Sequence, residues 1–242
     1  MKALIFAAGV GSRLKPWTDS HPKALVEVGG KPMLQHVLEN IISAGINDII
    51  INIHHFGEQI VDFVHSHEFN ARITFSDERS RLLETGGGLR KVIPLLRDES
   101  VLIHNADILT SLNLNSIIYD QLKKVSDATL LVSKRNNSRR LVFDAALRMK
   151  GWTNVETGQV KPAGIQLAPS DKLASFDGIH VVSPELYPLI ESYRPADTPF
   201  SITDFYIDNC AKADIRAFEL PSDVKWFDVG KPETLSLANK EF

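Results

Sequence analysis

The chain has 242 residues, of which 43% are hydrophobic and 24% charged, and a formal net charge of −3. These values are ordinary for a globular α/β protein able to bury a full core, and they give no electrostatic case for a nucleic-acid partner. The lone Cys210 excludes an intramolecular disulfide and a cysteine-based zinc cluster, no apolar run is long enough to span a bilayer, and Met1 leads directly into a core-like strand, so the cytoplasm is the expected compartment.

In chain order, the apolar run Ala3 to Ala8 predicts a buried strand. It stops at Gly9-Val10-Gly11-Ser12, where glycines let the backbone turn sharply and come close to a ligand. Arg13, Lys15 and Lys23 follow, with Pro16 and Pro22 stiffening the segment between them. A strand, a glycine turn and fixed cations suit a cradle for phosphates, or a turn-rich connection after an edge strand. The dinucleotide fingerprint fails because Leu14 stands where a third glycine is needed, and a Walker A loop fails because Gly30-Lys31 runs into Pro32.

Met33, Leu34, Val37, Leu38, Ile41 and Ile42 predict a helix that stops at Gly45. Strands are predicted at Asp48 to Ile53, Ala71 to Phe75, Val101 to His104 and Ala128 to Ser133, and helices at Gly57 to His65, after Gly88, and at Asn113 to Lys124. This alternation argues for a three-layer α/β fold on a mostly parallel, Rossmann-like sheet. It weakens after residue 135, where short strands are predicted at Arg140 to Phe143, Leu147 to Gly151 and Phe176 to Val182. A final strand, Ile215 to Glu219, precedes a last helix that ends near Lys240. We read residues 1–242 as one domain, with a nucleotide-binding half over about 1–135 and a substrate-side half over about 136–242.

Asn105-Ala106-Asp107 ends an apolar strand, where ligand sites of open α/β sheets gather. On position alone Asp107 suits either a metal ion or a cap for the helix after Ser111. Asp228, in Trp226-Phe227-Asp228-Val229-Gly230, suits either a metal or the turn beside Gly230. Two strand-end carboxylates in a chain with a phosphate cradle favour a metal, and Mg²⁺ is the hard ion that joins carboxylates to phosphate oxygens. Glu84-Thr85-Gly86-Gly87-Gly88 opens a helix; three glycines there suit a close approach to the backbone, or a flexible loop capped by Thr85. Ser201 to Asp204 reads as a helix capping box. His54 and His55 lack the spacing of a helical metal site and read as loop residues.

The segment Gly9 to Pro32, G-x-G-x-R-L-x-P-x-T-x-x-x-P-K-x-L-V-x-V-x-G-K-P, resembles the signature of the sugar-1-phosphate nucleotidyltransferases. Leu83 to Gly88 is similar to a string of the branch that contains N-acetylmuramate-1-phosphate uridylyltransferases and mannose-1-phosphate guanylyltransferases. Asp107 and the Trp226 to Glu233 segment resemble the family's two metal motifs, with Ala106 in place of a glycine and Lys231 in place of a threonine.

The resemblance implies the nucleotide-diphospho-sugar transferase fold and a reaction of a nucleoside triphosphate with a sugar 1-phosphate, needing Mg²⁺. It implies Arg13 and Lys23 as catalytic residues and Asp107 and Asp228 as metal ligands. The nucleotide would meet Ala7, Ala8, Gly9, Gly11, Gly86, Gly87 and Asn105; the sugar would meet Glu84, Thr85, Asn154 and Gly178. UTP with N-acetylmuramate 1-phosphate is favoured, as in cell-wall recycling, ahead of GTP with mannose 1-phosphate. A phosphocholine cytidylyltransferase and a nucleotide-sensing subunit without catalysis are the other readings. Lys161-Pro162 matches a family element only in part, because Val160 replaces its glutamate. A monomer or weak homodimer, with no nucleic acid or membrane partner, completes the expectation.

Overall fold

The apolar runs become strands in a computed structural model that describes residues 1–242. The first elements are β1 (Lys2–Phe6), β2 (Glu27–Val28), β3 (Lys31–Pro32), α1 (Met33–Ser43), β4 (Asp48–Ile53), α2 (Gly57–His65) and β5 (Arg72–Asp77). Next come α3 (Glu84–Leu96), β6 (Val101–Asn105), β7 (Ile108–Thr110), α4 (Asn115–Lys124) and β8 (Ala128–Ser133). Then follow β9 (Arg139–Phe143), β10 (Met149–Asn154), β11 (Val160–Lys161) and β12 (Lys172–Val182). The last are α5 (Tyr187–Ser192), α6 (Ile202–Asn209), β13 (Ile215–Glu219), β14 (Trp226–Asp228) and α7 (Pro232–Glu241). The architecture is mixed α/β around a mostly parallel central sheet, as the alternation predicts.

The residues cluster into two compact units, each discontinuous in sequence: residues 1–82, 101–115 and 223–242, and residues 83–100 and 116–222. In the first unit, β6, β1, β4 and β5 lie side by side in parallel, with Ala3 beside both Ile49 and Leu102. Ile49, Ile50, Ile51 and Ile53 are buried on both faces of β4, the pattern of a strand covered on either side, with Asn52 the one polar residue among them. The buried stripe Met33, Leu34, Val37, Leu38 and Ile41 gives α1 its inward face. The antiparallel ribbon β7–β14 pairs Ile108 with Asp228 and Thr110 with Trp226.

In the second unit, β8 pairs antiparallel with β12 and parallel with β13, and β12, β9, β10 and β11 follow as antiparallel neighbours. This meander explains why the strand–helix alternation fades after residue 135. Gly178 takes φ +77° within β12, between Phe176 and His180, where the register with β8 shifts. A bulge in that conformation needs glycine.

Several boundaries move for local reasons. β1 ends at Phe6 rather than Ala8, because the Ala7 and Ala8 N–H groups turn to the Asn52 side chain. β10 starts at Met149 rather than Leu147, because the Asp144 carboxylate accepts from the Ala146 and Arg148 N–H groups and holds a turn. α4 starts at Asn115, after the Asn113 side chain has accepted the Asn115 N–H.

His180 lies buried, stacked on Phe176 at 5.1 Å and edge-on to Tyr206 at 5.6 Å. Burial alone pushes its pKa down to about 3. The unfolded chain, with histidine near its ordinary value of about 6.5, therefore binds a proton that the folded chain rejects. The neutral ring's contribution is complete above pH 6.5 and is lost as pH falls toward 3. Wild type should thus lose stability against His180→Phe by about 1.4 kcal/mol per pH unit below about 6. Thermal melts of both proteins from pH 8 to pH 4 check this; a constant difference between them would show that His180 accepts protons when folded.

Candidate active site

In the first unit the glycine turn is built for close packing. Gly11 takes φ +68°, and a Cβ there would stand 2.9 Å from Lys23 Cβ and 3.0 Å from Thr18 Cγ2. The Gly11 carbonyl accepts from the Thr18 hydroxyl at 2.8 Å and from the Leu14 N–H at 3.0 Å. Gly9, by contrast, faces open space: nothing lies within 4 Å of a Cβ built on it. The start of the loop is set by Asn52, whose Oδ1 accepts from Ala7 at 2.7 Å and Ala8 at 3.2 Å. The Asn52 Nδ2 donates to the buried Glu78 carboxylate at 3.0 Å. Neither residue stands out as a site residue in sequence. The available signal was a lone asparagine within Ile49-Ile50-Ile51-Asn52-Ile53, since a buried polar side chain must find partners.

The ribbon β7–β14 brings the backbone of Asp107 next to the end of β14 at Asp228. The Val229 N–H donates to the Asp107 carbonyl at 2.9 Å, one residue beyond the Ile108–Asp228 pair. The Lys23 ammonium forms an ion pair with Asp107 Oδ2. Asp228 Oδ1 is buried without a hydrogen-bond partner. A Cβ on Gly230 would stand 2.7 Å from Asp228 Oδ1 and 2.8 Å from Arg13 Nη2, so the missing side chain leaves room for cation and carboxylate together. His104, at the end of β6, is buried and donates from Nδ1 to the Asn105 carbonyl at 2.9 Å; burial pushes its pKa down to about 4. Arg13, Lys23, Asn105, Asp107, Asp228 and the Ala7–Gly11 turn thus all belong to one unit.

These residues fit a hard divalent cation. The buried Asp228 carboxylate oxygen without a partner is the kind of hard donor Mg²⁺ uses. No group of three or more His, Cys, Asp or Glu side chains could hold an ion by protein ligands alone. The remaining positions would fall to phosphate and water oxygens, as is usual for Mg²⁺.

In the second unit the start of α3 is tied to residues 198–202. The Gly86 and Gly87 N–H groups donate to the Phe200 carbonyl at 2.8 Å and 3.2 Å, and the Thr85 hydroxyl accepts from Ile202 N–H at 2.9 Å. A Cβ on Gly86 would stand 2.2 Å from the Phe200 ring. The close approach inferred from the three glycines is therefore made, at Gly86, by Phe200. Glu84 takes φ +60° at the start of the helix. Ser201 caps α6 as expected, but by accepting from Thr203 N–H at 3.2 Å, one residue short of the Asp204 N–H that a capping box uses.

An open cavity of about 560 Å³ lies in the same unit, lined by Trp152, Asn154, Lys161, Phe176, Ser201 and Asp204 among others. The Asn154 side-chain oxygen accepts from Glu156 N–H at 3.0 Å and Thr157 N–H at 3.3 Å, so it also holds its own turn. Gly178 is not among the lining residues; the bulge in β12 accounts for its glycine.

The sequence matches the Nucleotidyl transferase family over residues 2–242. It is 29% identical to the N-acetylmuramate alpha-1-phosphate uridylyltransferase of Caulobacter vibrioides, over 96% of this chain and 92% of that one. It is 26% identical to the mannose-1-phosphate guanyltransferase of Yarrowia lipolytica, over 96% of this chain, which spans 61% of that protein. The fold matches HddC of Yersinia pseudotuberculosis, complexed with GMP-PN, with a TM-score of 0.76, 23% identity, and coverage of 100% of this chain and 99% of that one.

The contact around Gly230 can be tested directly. Gly230→Ala should fold normally but force Arg13 and Asp228 apart. Calorimetry should show nucleoside triphosphate binding weakened about tenfold, the scale of one charge-assisted hydrogen bond. An unchanged Kd would mean that Arg13 and Asp228 do not serve the nucleotide from these positions.

Proposed function

The chain belongs to the nucleotidyl transferase family, and on that premise we propose that it joins UTP and N-acetylmuramate 1-phosphate into a nucleotide sugar, releasing pyrophosphate. The observation that carries this reading is that the backbone of Asp107 is bonded next to Asp228, at the Val229 N–H, with Lys23 on Asp107 and Arg13 and Asp228 meeting at Gly230. Supporting the substrate choice is the likeness to the Caulobacter uridylyltransferase along nearly the whole of both chains.

In this reading a phosphate oxygen of the sugar 1-phosphate forms the new bond to the α-phosphorus of UTP. The bond between the α-phosphorus and its bridging oxygen breaks, and that electron pair leaves with pyrophosphate. The attacking oxygen is already ionised, so no general base is required. Alignment and charge neutralisation then carry the rate. Arg13 binds the β- and γ-phosphates and stabilises the leaving pyrophosphate. Lys23 exchanges Asp107 for the α-phosphate or the sugar phosphate. Asp107 and Asp228 would hold Mg²⁺, which supplies charge neutralisation at the phosphates.

The remaining assignments follow the same reading. The turn from Ala7 to Gly11 and Asn105 face base and ribose. The N–H groups of Ala7 and Ala8 are already taken by Asn52. Glu84, Thr85, Asn154 and Gly178 belong to the sugar side. The chain works as one domain with nucleotide and sugar halves, in the cytoplasm, as a monomer or weak homodimer. GTP with mannose 1-phosphate is the second reading, favoured by the likeness to the Yarrowia guanyltransferase.

The test is a matrix of nucleoside triphosphates against sugar 1-phosphates with Mg²⁺, read by pyrophosphate release. UTP with N-acetylmuramate 1-phosphate should give the highest kcat/KM. GTP with mannose 1-phosphate in that place would establish the second reading, and no release from any pair would overturn the reaction itself.

A further inference from the structure

The cavity of the second unit has an electrostatic character that the reaction alone does not require. Arg135, Arg139 and Lys161 line it, against the single carboxylate of Asp204. Arg135 is anchored: its Nη2 lies 3.0 Å from Asp177 Oδ1, which also accepts the Ser133 hydroxyl at 3.0 Å. Asp177 is itself buried, and burial pushes its pKa up to about 6 against the pull of Arg135 and Ser133. Arg139 and Lys161 have no carboxylate partner.

The strand register explains why these groups meet. Arg139 of β9 lies opposite Asn154 of β10, and Lys161 of β11 lies opposite Trp152 of β10. Side chains of directly paired residues share a sheet face, and Trp152 and Asn154 are two apart and share that face too. The result is one wall with Arg139 and Lys161 flanking Trp152 and Asn154. The Lys161 ammonium sits 5.6 Å from the Trp152 ring centre. An aromatic ring with two cations beside it that lack a carboxylate partner is suited to a sugar that carries its own negative charge.

Resting on the reading of the chain as a sugar-1-phosphate nucleotidyltransferase, we propose that Arg139 and Lys161 recognise a carboxylate borne by the sugar, and so select an acidic sugar phosphate over its neutral counterpart. The reacting phosphates already have Arg13, Lys23 and the two aspartates, so the cations of this cavity are additional to that set. The planar fork of Arg139 matches a carboxylate through paired N–H donors, and Lys161 adds a point charge. The chemistry selected is an anionic substituent on the ring, such as a carboxylic acid ether.

The experiment measures kcat/KM of the full chain, with saturating UTP and Mg²⁺, for N-acetylmuramate 1-phosphate and for N-acetylglucosamine 1-phosphate, which lacks only the lactyl ether. Wild type should prefer the first. In Arg139→Gln/Lys161→Gln the ratio of the two values should fall at least tenfold, and Lys161→Arg in the wild-type background should keep most of it. Thermal melts check folding, and each single Gln variant is measured as well, so that the ratio is read even if the double variant is unstable. An unchanged ratio, including an equal loss with both sugars, would assign the cations to the shared phosphate and overturn the proposal. Equal use of both sugars by wild type would also overturn it, with the nucleotidyltransferase reading intact. Failure of wild type to turn over any sugar 1-phosphate would overturn that reading and this proposal together.

Discussion

The ribbon β7–β14 is the constraint on which the site depends. Asp107 and Asp228 are far apart in sequence, and their approach is made by backbone pairing, with the Val229 N–H bonded to the Asp107 carbonyl at 2.9 Å. Backbone pairing suits the task because two like charges would otherwise repel, and a ladder holds them whatever their protonation. The apolar side chains next to the site pack into one core. Leu14, Leu109 and Val229 belong to one buried cluster with Val26, Val28, Met33 and Ala238. Each lies within two residues of a charged group: Leu14 of Arg13, Leu109 of Asp107, Val229 of Asp228. The first loop and the aspartates are thus fixed to a common core rather than to separate loops.

Two polar devices refine the site. Asn52 occupies the N–H groups at the end of β1 and is held in turn by buried Glu78, so the chain leaves the sheet at a defined point. Gly230 lets Arg13 and Asp228 share a space that any side chain would fill. Both act through geometry on the charged groups. Buried, paired polar side chains of this kind commonly hold catalytic groups in position, because leaving either partner unsatisfied is costly.

Much of this was legible in the sequence because it rests on local signals. The isoleucine run of β4 and the apolar stripe of α1 report burial through periodicity, and Asp48–Ile53, Gly57–His65 and Ala128–Ser133 emerge with the predicted bounds. The first-loop string and the two aspartates were read together as one site, yet Asp228 lies beyond the expected boundary near residue 135; the compact unit that holds Arg13 and Asp107 also takes in residues 223–242. What escaped depends on distant partners. The three-residue strands β7 and β14 carry no periodicity, and Asn52 shows its purpose only beside Ala7 and Glu78. Gly86 illustrates the opposite limit. The sequence shows that something approaches closely, and only the fold shows that at this position it is the Phe200 ring. The cations at Arg139 and Lys161 lie on separate strands, and register alone makes them neighbours of Trp152 and Asn154.

The central claim is that Asp107 and Asp228 share one Mg²⁺ with the reacting phosphates. The direct measurement is a Mg²⁺ titration of pyrophosphate release for wild type, Asp107→Asn, Asp228→Asn and the double variant, with folding monitored alongside. Ligands of one ion act as a unit, so each single variant should lose most of its activity and need more Mg²⁺, while the double variant should lose little more. Two small losses that multiply in the double variant, with Mg²⁺ dependence unchanged, would contradict the account.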